Sequence, residues 1–218
     1  MNNYHKVLDI INIGNANYIL RVEKKNIKFS AGQFFSIGIS KTLINREYSV
    51  CSAEDDFFLD FLIREVEGGI LSVKLKRLKI GEFVKILGPY GNFYLKNFDK
   101  KENYIFIATG SGISPFMSLI KTHKNLKYKI YHGIRKNTDI IEDKDIDRDN
   151  YFKFITREDV KDSNSIKGRI TDNFDIIKNE SRNSYFFLCG NSMMVSEVYD
   201  KLIDTGFSSN RIFTEVFF

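Results

Sequence analysis

The hydrophobic rhythm of this chain changes once, near residue 100, and that change limits the possible folds more than any single motif. Before it, apolar residues come in short alternating runs: YHKVLDIINI (4–13), NYILRVEK (17–24), QFFSIGIS (33–40), EYSVCSA (47–53), FFLDFLIREV (57–66) and EFVKILGPYG (82–91). Alternation places every second side chain on one face, which suits a strand buried on one side. Polar or glycine-containing breaks separate the runs at the spacing of an antiparallel barrel or sandwich. Between the last two runs, LSVKLKRL sets Leu71, Leu75 and Leu78 on one face and predicts a short helix.

After the polar stretch NFDKKEN, apolar strands alternate with helical segments. YIFIAT leads to SPFMSLIKTH, YKIYHGI to TDIIEDKDI, YFKFIT to RITDNFDII and YFFLCG to SMMVSEVYDKLIDTG, and RIFTEVFF closes the chain. In the last helix Val195, Val198 and Leu202 share a face, and Gly206 is placed to end it. This alternation predicts a doubly wound parallel sheet of about five strands. Two domains follow, 1–98 and 102–218, each large enough to bury a core.

Composition removes several classes. Cys51 and Cys189 are the only cysteines and lack CxxC spacing, so neither a disulfide framework nor an iron–sulfur cluster is expected. His5, His123 and His132 stand apart, so no metal site is expected. No apolar run is long enough for a membrane helix, and the first residues do not read as a signal peptide. A cytoplasmic location is the expectation. The net charge of +5 is spread along the chain, without zinc-finger or RNP patterns, so nucleic acid is not an expected partner. A solvated surface and a basic face for an acidic protein or a nucleotide both fit.

Several short stretches carry chemistry. NREYSVCSA (45–53) puts Arg46, Tyr48 and Ser49 at a strand end, where a surface arginine paired to a carboxylate is the ordinary reading. EGGILSVKL (67–75) sets Gly68, Gly69 and Ser72 at a helix start, either a phosphate cradle or a plain capped helix. ATGSGISPF (108–116) joins a strand to a helix through Gly110 and Gly112, either a ligand loop or a tight turn. FITREDV (154–160) ends a strand on Thr156 and Arg157, a pair suited to a phosphate monoester or to a surface ion pair. FLCGNSMM (187–194) places Cys189 and Gly190 at a carboxyl end, where ligands bind in open α/β sheets, although a small buried cysteine fits equally.

Taken in order, these stretches resemble the ferredoxin–NADP reductase family. REYS resembles its R-x-Y-S flavin motif, GGILSVKL its diphosphate helix, and GPYGNF (88–93) the end of its barrel. TGSGISPF resembles its nicotinamide loop, TRE followed by GRITD its bacterial members, and CGNSMM its C-G-x-x-x-M motif.

The resemblance implies an N-terminal antiparallel FAD-binding β-barrel and a C-terminal doubly wound NADP(H)-binding α/β domain. It implies FAD contacts from Arg46, Glu47, Tyr48, Ser49, Leu62 and Ile63, with Ile70, Leu71 and Ser72 at the diphosphate. Phe217 or Phe218 would stack on the flavin. NADP(H) contacts would come from Thr109, Gly110, Ser111 and Gly112, from Cys189, Gly190 and Met194, and from Arg135, Thr156 and Arg157, with Arg169 as a further cation. Ser49, Cys189 and Glu215 would attend hydride transfer. The implied activity is electron exchange between NADPH and an acidic one-electron carrier, ferredoxin or flavodoxin. The alternatives are a free-flavin reductase, an oxygenase reductase component, or a flavin-binding electron-transfer subunit of a larger complex.

Overall fold

A computed structural model of the chain describes residues 3–14, 16–39 and 44–217. It divides into two compact units, Met1–Lys96 with Ser114–Thr122, and Asn97–Ile113 with His123–Phe218.

The first unit carries β1 (Tyr4–Ile13), β2 (Asn17–Glu23), β3 (Phe34–Ile39), β4 (Asn45–Ser49), β5 (Phe58–Arg64), α1 (Ile70–Lys76) and β6 (Phe83–Tyr90). The strands form one six-stranded antiparallel sheet in the order β4-β3-β6-β1-β2-β5. A bridge between Val50 and Phe61 brings the two edge strands together. The Cys51 N–H donates to the Asp60 carbonyl at 2.9 Å beside it. The sheet thus curls on itself like a barrel, joined at that end of its two edge strands. Tyr18, Leu20, Phe35, Ile37, Phe61 and Ile63 fill the interior. α1 covers one end with buried Leu71 and Leu75, and Leu78 packs on the same core.

The second unit contains β7 (Asn103–Thr109) and a 3-10 turn (Gly110–Ile113), after which α2 (Ser114–Thr122) groups with the first unit. It continues with β8 (Lys127–Ile134), β9 (Tyr151–Ile155), β10 (Ser165–Lys167), β11 (Tyr185–Asn191), α3 (Ser192–Asp204) and β12 (Ile212–Phe217). The sheet is parallel, in the order β10-β9-β8-β7-β11-β12. It has six strands, not about five, because SIK (165–167) pairs with β9.

Two expected helices are only 3-10 segments, Asn137–Asp139 and Thr171–Ile176. The first is capped at its start by the Asp139 carboxylate, which accepts the Lys136 N–H at 3.1 Å, and ends at Ile140, whose ψ of 130° is extended. The second is broken at Asn173, whose φ of −113° and ψ of 28° are not helical. α3 forms as expected. Asn191 caps it by accepting the Met193 N–H at 3.1 Å, and Gly206 follows its end at φ +89°.

The chain runs from β7 outward through β8, β9 and β10, then returns to the other side of β7 for β11 and β12. The carboxyl ends of β7 and β11 therefore flank the point where strand order reverses, the crevice where open α/β sheets bind ligands. Among the described residues no helix is long and apolar enough to cross a membrane.

Candidate functional site

In the first unit β4 holds the NREYS residues against β3. Arg46 lies opposite Ile37, Tyr48 opposite Phe35 and Ser49 opposite Phe34. Period-two alternation sends Arg46 and Tyr48 to one face, Glu47 and Ser49 to the other. Tyr48 is half-buried against the barrel core, Ser49 is buried, and Arg46 and Glu47 are exposed. The Arg46 guanidinium donates to the Asn45 carbonyl at 2.8 Å. Burial pushes the Tyr48 phenol up to about 12, against the opposing pull of Arg46. The ring therefore presents a neutral hydroxyl.

The start of α1 is reached through Gly68 at φ +73° and Gly69, which caps the helix without a side-chain hydrogen bond. A Cβ on Gly69 would meet the Val66 carbonyl at 2.8 Å, so only glycine lets the turn close this tightly. Ile70 is exposed, while Leu71 and Ser72 are buried. The Ser72 hydroxyl oxygen accepts the Val66 N–H at 3.1 Å and pins that turn to the helix. Ile63 points into the barrel core, and buried Leu62 lies on the other face of β5.

Tyr18, which the sequence reading did not single out, ties these pieces together. Its hydroxyl donates to the Ser72 carbonyl at 2.6 Å. Burial, then the nearby Tyr48 and Glu65, hold its phenol well above the ordinary tyrosine value. The strand end and the helix start thus share one fully buried tyrosine. A cation, a half-buried aromatic ring, a buried hydroxyl and a glycine-framed helix start lie within this unit. That set fits a flavin dinucleotide, which needs a ring contact and a diphosphate contact.

In the second unit Thr109, Gly110 and Gly112 leave β7 beside Cys189 and Gly190 on β11. A Cβ on Gly112 would lie 2.3 Å from the Cys189 carbonyl, and one on Gly190 would lie 2.3 Å from Thr109 Oγ1. The Thr109 hydroxyl accepts the Asn191 N–H at 2.9 Å. Gly110 takes φ +54°, and a Cβ there would meet nothing within 4 Å. The turns are therefore packed against one another but leave open space at Gly110. Cys189 lies opposite Glu215 in the β11–β12 register, and Phe217 lies opposite Asn191. Burial, then Glu215, raise the Cys189 thiol well above its ordinary value, so it stays protonated. Met194 is buried in the core of this unit, Phe217 is half-buried, and Phe218 lies outside the described residues.

Arg135, Thr156 and Arg157 are exposed at the carboxyl ends of β8 and β9. The Arg157 N–H donates to the Arg135 carbonyl at 2.9 Å, and Arg169 follows β10 by two residues. Among the described residues none of these arginines has a side-chain salt bridge. Cations at strand ends and an open glycine turn fit a phosphorylated dinucleotide.

A second unpredicted residue, His132, is fully buried beneath this loop. Its Nε2 lies 2.8 Å from the Gly110 carbonyl and its Nδ1 lies 2.7 Å from the Tyr151 hydroxyl. A lone histidine in an apolar strand gives no signal for such a role. Only the pairing of β8 with β7 and β9 brings its partners within reach.

Known proteins match this arrangement. Residues 10–94 match the oxidoreductase FAD-binding domain, and residues 106–200 match the oxidoreductase NAD-binding domain. A flavodoxin/ferredoxin–NADP reductase of Buchnera aphidicola is 30% identical over 199 residues, covering 81% of this chain and 80% of that protein. Component C of a Methylosinus trichosporium methane monooxygenase is 36% identical over 97 residues, 44% of this chain but only 28% of that protein. The crystal structure of a ferredoxin NADP+ reductase from Neisseria gonorrhoeae with bound FAD and NADP superposes with a TM-score of 0.85. That likeness covers 99% of this chain and 98% of the other at 20% identity, and bears on the fold. With a flavin domain and a nicotinamide-nucleotide domain in this order, and a relative matched along most of both lengths, the chain belongs to the ferredoxin–NADP reductase family.

Proposed function

We propose that the chain is an NADPH-dependent reductase that passes electrons through FAD to a one-electron protein carrier, ferredoxin or flavodoxin. The observation that carries this reading is the match to the Buchnera flavodoxin/ferredoxin–NADP reductase across 80% of that protein's length. Three exposed arginines, Arg135, Arg157 and Arg169, support NADPH over NADH, because only the former carries a 2′-phosphate to neutralise them.

FAD, when bound, accepts a hydride and releases electrons singly. The chain's own residues bind and orient. Arg46 and the glycine-framed start of α1 would hold the diphosphate. Tyr48 would contact the ring, and the buried Ser49 hydroxyl would supply it with a polar partner. The Thr109–Gly112 turn and Cys189–Gly190 hold the nicotinamide half, while Thr156 and Arg157 hold the 2′-phosphate. The Cys189 thiol, kept protonated by burial and Glu215, shapes the pocket and does not attack the substrate.

A second reading, an oxygenase reductase component, is favoured by the 97-residue match to the methane monooxygenase protein. One experiment separates the readings. The purified protein is given NADPH or NADH with a panel of ferredoxins, flavodoxins, free flavins and oxygenase components, and its flavin is released by heat and identified by chromatography. NADPH-dependent reduction of a ferredoxin or flavodoxin, with FAD recovered, is the expected result. Recovery of FMN, preference for NADH, or turnover only with free flavin or an oxygenase would overturn it.

A further inference from the structure

We propose that His132 is a positioning residue for the nucleotide-binding turn, holding the Gly110–Ser111 peptide in one orientation through a one-way hydrogen-bond chain from Tyr151. The inference rests on the reading of Thr109–Gly112 as that turn.

The polarity of the chain follows from its ends. The Gly110 carbonyl only accepts, so the Nε2 atom 2.8 Å away must carry the proton. The imidazole is fully buried, and burial lowers its pKa to about 4, so at neutral pH it holds one proton. Nδ1 is then bare and accepts the Tyr151 hydroxyl proton at 2.7 Å. The Ile141 backbone also hydrogen-bonds the Tyr151 oxygen. The Gly110 carbonyl thus requires the Nε2-protonated tautomer, and the Tyr151 hydroxyl supports it by donating to Nδ1 and orienting the ring.

This bears on binding because the held group belongs to a peptide plane. A trans peptide points its C=O and N–H in opposite directions. Holding the Gly110 carbonyl toward His132 turns the Ser111 N–H the other way. Gly110 has no side chain to resist a flip, and a Cβ there would meet nothing within 4 Å, so the backbone bonding of the 3-10 turn and the His132 contact, rather than side-chain packing, hold this peptide. A flipped peptide would present a carbonyl oxygen where the turn should present a donor to an anion. The turn is otherwise anchored at its flanks, by Thr109 Oγ1 to Asn191 and by Gly112 against Cys189.

Two substitutions split the imidazole's contacts. Gln places its amide nitrogen near the position of Nε2, so His132→Gln keeps a donor for Gly110. Asn places its polar atoms near Nδ1, so His132→Asn keeps a partner for Tyr151 and loses Gly110. Each variant is prepared with its flavin, checked by its absorption spectrum and urea midpoint, and titrated with NADP+ and NAD+ by calorimetry. His132→Asn should weaken NADP+ binding about tenfold, the scale of one buried hydrogen bond, while His132→Gln stays within about threefold of wild type. Tyr151→Phe, which removes the donor to Nδ1 that orients the ring without emptying the site, should fall between them.

Equal affinity in His132→Asn, His132→Gln and wild type would show that His132 is only a core residue. Equal losses in both histidine variants, tracking the urea midpoints, would assign the effect to stability and also overturn the proposal. Should His132→Asn fail to fold, wild-type affinity in Tyr151→Phe overturns it. A wild-type protein that binds neither nucleotide would instead refute the reading of the turn itself.

Discussion

Arg157 is exposed at the end of β9, and its backbone N–H is bonded to the Arg135 carbonyl, so two guanidinium groups leave neighbouring strands together. An anion that bridges such a pair gains charge-assisted hydrogen bonds worth roughly 1.5–3 kcal/mol, or about tenfold to a hundredfold in affinity. Arg157→Ala should therefore lower kcat/KM for NADPH by that factor and leave NADH nearly unchanged; equal losses would mean that Arg157 does not read the 2′-phosphate. His132 makes a different demand, on pH. Its pKa falls from 6.5 to about 4 on folding, so between those values the unfolded chain binds more protons. Stability is whole above pH 6.5 and declines as pH falls toward 4, by about 3 kcal/mol in all. His5, also lowered by burial, adds a loss of the same sign. Urea midpoints across this range should show the decline, and a smaller one in His132→Gln; identical profiles would place the titration elsewhere. The placement of Arg157 at an exposed strand end was legible in the sequence, because the run FIT stops immediately before it. Tyr18 and His132 were not, because each looks like strand filling. Their partners, Ser72 and Gly110, lie 54 and 22 residues away and meet them only through strand pairing.

The glycine turn between β7 and α2 shows how one element can be read locally and still depend on another. TGSGISPF marks a strand-to-helix turn in any sequence, but the reason for each glycine differs. Gly112 is required by the β11 backbone, since a Cβ would sit 2.3 Å from the Cys189 carbonyl. Gly110 is required by its φ of +54° alone. Gly112→Ala must push two backbones apart and should cost about 1–3 kcal/mol, with nucleotide affinity lost as the turn shifts. Gly110→Ala faces open space and should cost only the left-handed backbone term of about 1–2 kcal/mol. Denaturant midpoints and NADP+ titrations of the two variants check this; a harmless Gly112→Ala would mean that the turns tolerate separation. The segment after β10, expected as a helix, differs for a related reason. Ile170, Phe174 and Ile177 bury one face at a spacing that suits a helix, yet the non-helical Asn173 between them lets a kinked 3-10 segment bury the same residues. Apolar spacing reports which side chains are covered, not which backbone covers them. β10 escaped because a run of only three residues, SIK, is too short to show alternation.

At the scale of the whole molecule, the change of rhythm near residue 100 was the most legible feature, since strand alternation and strand–helix alternation bury apolar surface in incompatible ways. Net charge is legible too, but it specifies a rate and not a fold. A chain of net charge +5 attracts an acidic carrier over distances beyond contact, which raises the encounter rate more than the strength of the final complex. Salt shortens that reach, from a Debye length of about 30 Å at 0.01 M to about 8 Å at 0.15 M. kcat/KM for reduction of ferredoxin or flavodoxin should therefore fall several-fold across that interval at saturating NADPH. Reduction of a neutral quinone under the same conditions should stay within about twofold, because an uncharged acceptor is not steered and the nucleotide step is already saturated. Equal salt dependence with both acceptors would trace the effect to the nucleotide step. A carrier rate indifferent to salt would mean that the basic surface does not guide the partner.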